Sequence, residues 1–463
     1  MTDVVALLRA AVGDAVSTDV AVLDAARGDK SGQRATGQPL AVVSARTVEH
    51  VQAVMRIAHE HRVPVVPRGA GTGLTGGAMA GGGELVISTA AMTQILEIDE
   101  ADQLAVVEPG ILNADLNQAL EQHGLRWAPD PASRTISTVG GNIATNAGGL
   151  LCAKYGVTRE AVLGLDVVLA DGSLMRLGHR TVKGVTGLDL TALMIGSEGT
   201  LGIIVGATLK LTPLPTGAVA TIGAYFATIE DAAAASAAIT AARIRPAAME
   251  LLDPLALASI LRYLELPDSA PGSAPDSALD RAPNSAHLLV QTDGEAAEAE
   301  ARAALAIITY LGGTASMTTD PVEGERMLAV RRAMHPAMEA LGHVLIEDVA
   351  VPRSRLPEMF EAIRVISDRH GIPIPTVAHA GDGNLHPNLI YTGDDVPETV
   401  WAAAGELFEA ALALGGTLTG EHGIGTLKRR WLADELGDAQ VELQRQIKAV
   451  FDPRGILNPG KVF

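Results

Sequence analysis

The sequence predicts an α+β protein made of two domains and a C-terminal segment. In the N-terminal half, the short runs VPVVP, ELVIST, QILEID and LAVVEPG alternate with turns, a pattern typical of strands. Later, TIGAYF and HLLVQTDG are each followed by an alanine-rich helical segment, and two such strand–helix units in succession are typical of an α+β layer. We therefore predict domains at 1–215 and 216–425 and a C-terminal segment at 426–463.

Two segments of the first domain are predicted to be helices. HVQAVMRIAHE near 50–60 and NADLNQALEQH at 113–123 carry apolar residues at a period close to 3.6. Strands continue in REAVLGLDVVLADG and in GTLGIIVGATLKLTPLP, where prolines close the domain. In the second domain, LPDSAPGSAPDSALDRAPNSA is rich in Pro, Ser, Ala and Asp and predicts a loop.

Composition excludes several classes of partner and site. The formal net charge of −19 over 463 residues argues against nucleic acid, which requires a basic face. Cys152 is the single cysteine, so the chain offers neither a disulfide framework nor a thiolate cluster. The first residues resemble no signal peptide, and no apolar run reaches the roughly 18 residues of a membrane-spanning helix. We expect a cytoplasmic protein, with peripheral membrane association through an electron acceptor as an alternative.

RGAGTGLTGG, from Arg68 to Gly77, contains a literal G-x-G-x-x-G. A Rossmann turn requires a helix directly after these glycines, but more glycines and a strand follow. A P-loop requires Lys-Ser or Lys-Thr, and neither follows. The stretch therefore predicts a loop between strands whose N–H groups wrap a pyrophosphate, with a plain surface loop as the alternative.

Two further glycine clusters favour a large ligand. STVGGNIATNAGGLLCAKYG spaces its glycines with small and amide residues, and IGSEGTLGII leads from glycines into a strand. Residues without a Cβ allow close backbone approach to a flat or anionic ligand. Three such loops in one domain predict a cofactor threaded through it.

TVAHAGDGNLHPNL predicts a histidine-rich hairpin. With Asp382-Gly383 as a two-residue turn, His379 faces His386, and both imidazoles lie on one face. Such a pair suits one metal ion, and two structural histidines are the alternative. Glu421 and its neighbour His422 point to opposite sides of an extended stretch. A division of labour follows, with His379, His386 and Glu421 as metal ligands, zinc preferred over Fe²⁺ or Mn²⁺, and His422 as base.

The motifs together resemble a known family. PRGAGTGLTGG, DPAS, TVGGNIATNAGG, KYG, GSEGTLGI, HAGDGNLHP, GEHGIG and LNPGKVF occur in this order across nearly the whole chain. The ordered set resembles the FAD-binding oxidoreductases of the vanillyl-alcohol oxidase/p-cresol methylhydroxylase type, in the D-lactate, glycolate and D-2-hydroxyglutarate dehydrogenase branch. The resemblance implies a two-part FAD-binding domain, an α+β cap (substrate) domain with an antiparallel sheet, and a C-terminal tail that returns toward the flavin.

The resemblance also implies which residues hold the cofactor. Covalent members carry a histidine within the first glycine loop, where this chain has Ala70, Gly71 and Thr72. We therefore expect noncovalent FAD. The implied cofactor-binding residues are Pro67, Arg68, Gly69, Ala70, Gly71, Thr72, Gly73, Leu74, Gly76, Gly77, Pro131, Ser133, Gly140, Gly141, Asn142, Thr145, Gly148, Gly149, Glu198, Gly199 and Ile204.

The implied activity is oxidation of a D-2-hydroxy acid to the 2-oxo acid. The resemblance assigns substrate contacts to Arg331, Asn384 and Lys461. Relatives that oxidise hydroxyglutarate carry a lysine before the D-V-x-x-P strand, where this chain has Ile346 and Glu347. D-lactate or glycolate is therefore favoured over D-2-hydroxyglutarate or another D-2-hydroxy acid.

Several partners stay open at this stage. The electron acceptor is a quinone, a cytochrome, a flavoprotein or oxygen, and a homodimer is one open oligomeric state. One alternative hypothesis is that the chain is the FAD subunit of a multi-subunit glycolate oxidase. Another is a non-redox flavin transferase of the same fold. That activity requires a basic phosphate pocket, which the acidic sequence does not indicate.

Overall fold

The computed structural model describes residues 3–264, 285–393 and 395–463, which form two compact units. The first unit consists of residues 1–148, 156–214 and 421–463, and the second of residues 149–155 and 215–420. The domain boundaries predicted from the sequence lie at 215 and 425. The predicted proline-rich loop lies outside the described residues except for Ser285 and Ala286.

The strands of the described part are, in chain order, β1 Val16–Ser17, β2 Ala41–Ser44, β3 Val65–Arg68, β4 Leu85–Ser88, β5 Ile95–Asp99, β6 Leu104–Val107, β7 Leu125–Arg126, β8 Val162–Val168, β9 Leu174–Gly178, β10 Ile203–Lys210, β11 Thr212–Pro213, β12 Val219–Phe226, β13 Ala248–Leu252, β14 Ala286–Asp293, β15 Thr314–Thr318, β16 His343–Ile346, β17 Val349–Ala350, β18 Thr376–His379 and β19 Asn384–Tyr391.

The α-helices of the same residues are α1 Val4–Val12, α2 Val20–Ala26, α3 Val48–His61, α4 Asn113–Glu121, α5 Val139–Thr145, α6 Cys152–Tyr155, α7 Leu190–Met194, α8 Ile229–Ala241, α9 Pro254–Tyr263, α10 Ala297–Tyr310, α11 Pro321–Arg332, α12 Met334–Glu339, α13 Leu356–His370, α14 Glu398–Ala413, α15 Leu432–Leu436 and α16 Asp438–Phe451. The helices predicted near 50–60 and at 113–123 are confirmed as α3 and α4. Among the described residues, no helix is both long and apolar enough to cross a membrane.

The first unit contains two main sheets. One has the order β1-β2-β4-β3, in which β2, β4 and β3 run parallel. Val65, Leu85 and Ile87 of this sheet are fully buried, together with one side of α3. Such apolar runs are typical of parallel strands covered on both faces. Because β3 ends at Arg68, the glycine-rich loop leaves the carboxyl end of this parallel sheet.

The second sheet of the first unit has five antiparallel strands in the order β5-β6-β10-β8-β9. Its core includes Leu116 and Leu120 of α4 and Ile143 of α5. Trp127 is buried in the same core, and its indole N–H donates to the carbonyl of Ala161 at 3.0 Å. This core holds α5, the helix built from the second glycine cluster, against the sheet.

The second unit is built on an antiparallel sheet of eight strands. Its order is β15-β12-β14-β13-β18-β19-β16, and β17 also pairs with β19. The predicted α+β layer with an antiparallel sheet is therefore confirmed. Helices α9, α11 and α12 pack with Leu252 and Val377 on one face. The strand register pairs Glu250 with His379 and His379 with Asn384. These three polar side chains therefore also lie on one face of the sheet.

The hairpin between β18 and β19 differs from the prediction. His379 pairs with Asn384 and Val377 pairs with His386, so the predicted two-residue turn and the direct His379–His386 pairing are wrong. The connection has four residues because Gly383 is engaged elsewhere: its carbonyl accepts from the N–H of Val351 at 3.0 Å. The register differs by two residues, and a shift of two keeps both histidines on one face.

Candidate active site

The glycine loop, residues Arg68–Gly77, presents a row of free donors. None of the backbone N–H groups from Gly69 to Gly77 donates a hydrogen bond within the described part of the chain. Unpaired backbone donors are rare in folded proteins unless a ligand or water meets them. A succession of such N–H groups forms a concave site for an anion, so the loop fits a pyrophosphate.

The shape of the glycine loop is held from its two ends. The Arg68 guanidinium donates to the carbonyl of Ala78 at 2.7 Å. The Thr75 carbonyl accepts from the N–H of Thr426 at 2.9 Å. Gly76 has φ +80, and a Cβ there would overlap the Thr426 hydroxyl. Glycine is therefore required by both backbone conformation and packing at this position.

The second glycine cluster is already hydrogen-bonded at its helix start. The N–H groups of Val139 and Gly140 donate to backbone carbonyls at 2.9 and 2.8 Å, and that of Gly141 donates to the Thr138 hydroxyl at 3.2 Å. A Cβ on Gly140 would lie 2.5 Å from Pro109 Cβ. Gly140 is therefore explained by packing within the protein.

An amide side chain on α5 remains available to a cofactor. The Asn142 Nδ2 group is buried and has no partner among the described residues. A buried amide donor without a partner costs about 1–3 kcal/mol, so a ligand acceptor at this point is the economical explanation. Together with the free N–H row of the glycine loop, Asn142 makes the first unit a fit for FAD.

The other predicted cofactor residues have varied surroundings in the first unit. Pro131 and Ser133 lie in a turn in which the N–H of Arg134 donates to the Pro131 carbonyl at 2.8 Å. Thr145 donates its hydroxyl to the Gly141 carbonyl at 3.2 Å. A Cβ on Gly199 would lie 2.9 Å from Pro67 Cγ. Gly148 precedes α6 and Ile204 lies on β10, whereas Gly149 belongs to the second unit.

The residues predicted at the C-terminal end of the site also lie in the first unit. His422 and Glu421 are mostly buried, and their side chains approach to 3.9 Å between Nε2 and Oε1. Lys461 is buried, and its ammonium pairs with Glu84 Oε1 at 3.2 Å. The predicted substrate contact of Lys461 thus competes with an internal ion pair.

In the second unit, one buried carboxylate joins two predicted site residues. Glu250 on β13 is 1% exposed. Its Oε2 accepts from Arg331 Nε at 2.7 Å, and its Oε1 is 2.8 Å from His379 Nδ1. A carboxylate at Nδ1 favours the tautomer that carries the proton there and that has its lone pair on Nε2.

His386 and Asn384 lie on β19, next to His379 of the neighbouring strand β18. The His379 and His386 rings are 5.2 Å apart between centroids and nearly perpendicular. Asn384 Nδ2 donates to Asp348 Oδ1 at 2.7 Å and to the Val349 carbonyl at 3.0 Å. Its Oδ1 is buried without a partner among the described residues. His379, His386 and Asn384 thus offer two imidazoles and one amide oxygen that has no partner among the described residues.

Sequence reasoning missed Glu250 and Asp348. Glu250 lies in the apolar run AMELL, where the pattern suggests a strand whose single acid faces solvent. Its two partners, Arg331 and His379, are 81 and 129 residues away in the sequence. Asp348 directly follows Ile346 and Glu347 in the sequence, but only the strand register brings its side chain to Asn384. A lone acid inside a fully buried strand was the signal available, because such a charge requires partners.

Comparisons with known proteins identify the family of the chain. Residues 39–178 match the model of an FAD binding domain, and residues 217–462 match that of the C-terminal domain of FAD linked oxidases. The glycolate oxidase subunit GlcD of Bacillus subtilis is 43% identical, over 92% of this chain and 89% of that protein. The D-lactate dehydrogenase of Anaerostipes hadrus is 35% identical, over 98% and 94% of the two chains.

A solved structure supports the fold. p-Cresol methylhydroxylase with substrate bound superposes with a TM-score of 0.77 over 99% of this chain and 96% of that chain, at 19% identity. The resemblance stated from the motifs is confirmed by these matches. The chain belongs to the FAD-linked oxidases and is an FAD-dependent oxidoreductase of the glycolate, D-lactate and D-2-hydroxyglutarate dehydrogenase branch.

Proposed function

We propose that this enzyme oxidises a small D-2-hydroxy monocarboxylate, D-lactate or glycolate, to the 2-oxo acid. The observation that carries the proposal is the bridge from Arg331 through Glu250 to His379 in the second unit. One buried carboxylate there orients a carboxylate-binding group and an imidazole together. A 2-hydroxy acid carries its carboxylate and its hydroxyl on adjacent carbons, which suits such a paired arrangement.

Arg331 is proposed to bind the substrate carboxylate. Its Nε is used by Glu250, and its Nη atoms have no partner within the described part of the chain. The side chain is 13% exposed, so its outer N–H groups can meet a ligand in a partly desolvated setting. An arginine fork binds a carboxylate with two parallel hydrogen bonds. The Asn384 Oδ1 acceptor is proposed to receive a hydrogen bond from the substrate.

A divalent metal, with zinc preferred, is proposed at His379, His386 and Glu421. In support, Glu250 leaves Nε2 of His379 as the coordinating nitrogen, in the manner of a carboxylate that orients a metal-bound histidine. Two imidazoles and a carboxylate suit zinc and also iron or manganese. When bound, the metal supplies Lewis acidity that lowers the pKa of the substrate hydroxyl.

His422 is proposed as the base of the reaction. It is expected to take the hydroxyl proton on an imidazole nitrogen, which requires a neutral ring near pH 7. FAD, when bound noncovalently at the glycine loop, supplies the acceptor for the hydride of the α-carbon. Glu421 and His422 belong to the first unit, and their assignment comes from the GEHGIG motif.

The preference for a monocarboxylate is supported by Glu347. Its side chain is 1% exposed, directly after β16. A second substrate carboxylate in this region would meet a buried acid, and two like charges repel strongly at low dielectric. D-2-hydroxyglutarate is therefore disfavoured.

Flavin bleaching tests the proposal. Anaerobic D-lactate or glycolate is expected to bleach the yellow absorbance of the purified holoenzyme, and the corresponding L-lactate is expected not to. A chelator should abolish bleaching, and added Zn²⁺ or Mn²⁺ should restore it. If neither these acids nor longer D-2-hydroxy acids reduce the flavin, the proposed function is wrong. Bleaching by D-2-hydroxyglutarate alone would overturn only the choice of substrate.

A second candidate is the FAD-carrying subunit of a larger oxidase. It is favoured by the Bacillus subtilis relative, whose name describes a subunit. The chain has one cysteine and would rely on partners for any iron–sulfur cluster. Flavin bleaching by glycolate without turnover against soluble acceptors would support this assembly.

A further inference from the structure

Glu198 has an unusual backbone conformation in the first unit. Its φ is +51, in the left-handed region that residues with a Cβ rarely adopt. The residue is also buried, at 9% exposure. Conformations of this kind are energetically unfavourable and concentrate at functional sites. The structure therefore keeps Glu198 in place against both a conformational and a desolvation cost.

The Glu198 carboxylate holds the chain that follows His422. Its Oε1 accepts from the N–H of Ile424 at 2.7 Å, and its Oε2 accepts from the N–H of Gly425 at 2.9 Å. Gly423 has φ +88, and a Cβ there would lie 2.9 Å from Oε1. The carboxylate thus determines the backbone path of the three residues directly after His422.

The backbone of Glu198 is held as firmly as its side chain. Its N–H donates to the Ala144 carbonyl at 2.8 Å. Its own carbonyl accepts from Asn458 Nδ2 at 2.7 Å, and the same Nδ2 donates to the Gly77 carbonyl at 3.0 Å. Glu198 therefore connects the end of α5, the glycine loop and the GEHGIG segment.

The chemistry of the carboxylate suits this task. Burial raises the pKa of Glu198 to about 7, and the N–H groups of Ile424 and Gly425 and the charge of Lys428 oppose that rise. An amide side chain would avoid the desolvation cost, but it would offer one oxygen to two N–H groups. A carboxylate provides two acceptor oxygens at the required spacing.

We propose that Glu198 is a positioning residue that orients His422 through the backbone of Gly423–Gly425. This inference rests on the proposed function, in which His422 is the base. It also changes the expectation for Glu198 itself, which the resemblance assigns to cofactor binding. Both carboxylate oxygens already accept hydrogen bonds from the protein, so the side chain acts on the loop.

Three variants of the holoenzyme test the inference in the reductive half-reaction. Glu198→Gln should lower the limiting rate of flavin reduction by D-lactate or glycolate by up to about 100-fold, since a misplacement near 1 Å can cost that much. The substrate Kd should stay at the wild-type value because His422 acts on the proton. Glu198→Asp retains the charge but is too short to reach both N–H groups, so its rate should fall in between.

Glu160→Gln is the matched control. Glu160 is an exposed carboxylate of the same unit, and its Oε2 accepts from the N–H of Val157 at 2.8 Å. The control makes the same Glu→Gln change beside a single backbone N–H, which the remaining side-chain oxygen can still accept, and its limiting rate and substrate Kd should equal those of the wild type.

Hydrogen exchange supplies a readout that does not depend on activity. The amides of Ile424 and Gly425 should exchange faster in Glu198→Gln than in the wild type and the control. A wild-type limiting rate, or unchanged exchange at these amides, would overturn the inference. Reduced FAD content with a wild-type rate in the loaded fraction would overturn it in favour of cofactor binding. If no hydroxy acid bleaches the wild type, the proposed function fails, and the exchange experiment still decides the role of Glu198 in the loop.

Discussion

The glycine loop at Arg68–Gly77 and the glycines at the start of α5 have similar composition and opposite hydrogen bonding. In the loop, the N–H groups from Gly69 to Gly77 donate to no group within the described part of the chain. At α5, Gly140 and Gly141 use their N–H groups within the protein. Glycine thus accompanies unpaired backbone donors of the described residues in one place and close packing in the other.

The difference teaches that a missing Cβ has two physical uses. It exposes backbone donors to a ligand, or it admits a neighbouring backbone. Gly140 belongs to the second kind because Pro109 fills the space of its Cβ. The free amide of Asn142 is therefore the better indicator of a ligand at α5 than the glycines beside it.

The largest expected effect is on hydrogen exchange when FAD binds. Loop amides should exchange rapidly in the apoprotein, and saturating FAD at about 100 times its Kd should slow them up to about 100-fold, equivalent to ~2.7 kcal/mol. The amides of Gly140 and Gly141 should already be protected in the apoprotein. Amide-resolved mass spectrometry measures both sets, and loop amides that stay fast with FAD bound would remove the proposed cradle.

Gly140→Ala should act on folding. The added methyl group would lie 2.5 Å from Pro109 Cβ and 3.0 Å from its carbonyl oxygen, and overpacking of this kind costs about 1–3 kcal/mol. The free energy of unfolding of the apoprotein in urea should fall by that amount. A variant of wild-type stability with weakened FAD binding would instead place Gly140 among the ligand contacts.

Gly73→Ala should act on the cofactor. A Cβ at Gly73 would meet only Asp29 Oδ2, at 4.0 Å, so the apoprotein should keep its stability within about 0.5 kcal/mol. If the loop wraps a pyrophosphate, the methyl group intrudes on it, and the FAD Kd should rise about 10-fold, or ~1.4 kcal/mol. Fluorescence titration of the apoprotein measures this Kd.

Gly82→Ala is the control for that experiment. A Cβ there would lie 3.8 Å from its nearest neighbours, Gly37 and Thr36, in a turn outside the glycine loop. It should change neither stability nor FAD affinity. Equal FAD affinity in Gly73→Ala and Gly82→Ala would mean that the loop does not approach the cofactor.

Periodicity predicted most of the fold, and local pattern could not predict its contacts. The strands at VPVVP and ELVIST and the helix near 50–60 follow from apolar spacing alone. The Asp382-Gly383 turn failed because the Gly383 carbonyl pairs with Val351, a contact set by the neighbouring strand. Local turn preference yields to such tertiary bonds.

The candidate site shows the same limit. The motifs predicted His379 and Arg331, but not Glu250, which joins them. That bridge depends on strand register and on a helix packed over the sheet, and both arise only when distant segments meet. An acid inside the run AMELL was visible in the sequence, but its partners were not.

Thr138 provides the smallest and sharpest test because it touches both glycine regions. Its hydroxyl accepts from the N–H of Gly141 at 3.2 Å as the N-cap of α5, and a Cβ on Gly69 would overlap that same hydroxyl. Thr138→Ala should cost about 1 kcal/mol through the lost cap. Gly69→Ala should cost a similar amount because its methyl group displaces the hydroxyl from the cap.

The double variant should therefore cost less than the sum of the single variants. Without the hydroxyl, the nearest remaining atom of residue 138 is its Cβ, 3.7 Å from the Gly69 methyl position, an ordinary contact distance. The coupling free energy should be about 1 kcal/mol, within the range for residues in contact, measured by urea unfolding of the four apoproteins. Additive costs would show that the two glycine regions are independent, and the loop would then owe its shape to Arg68 and Thr75 alone.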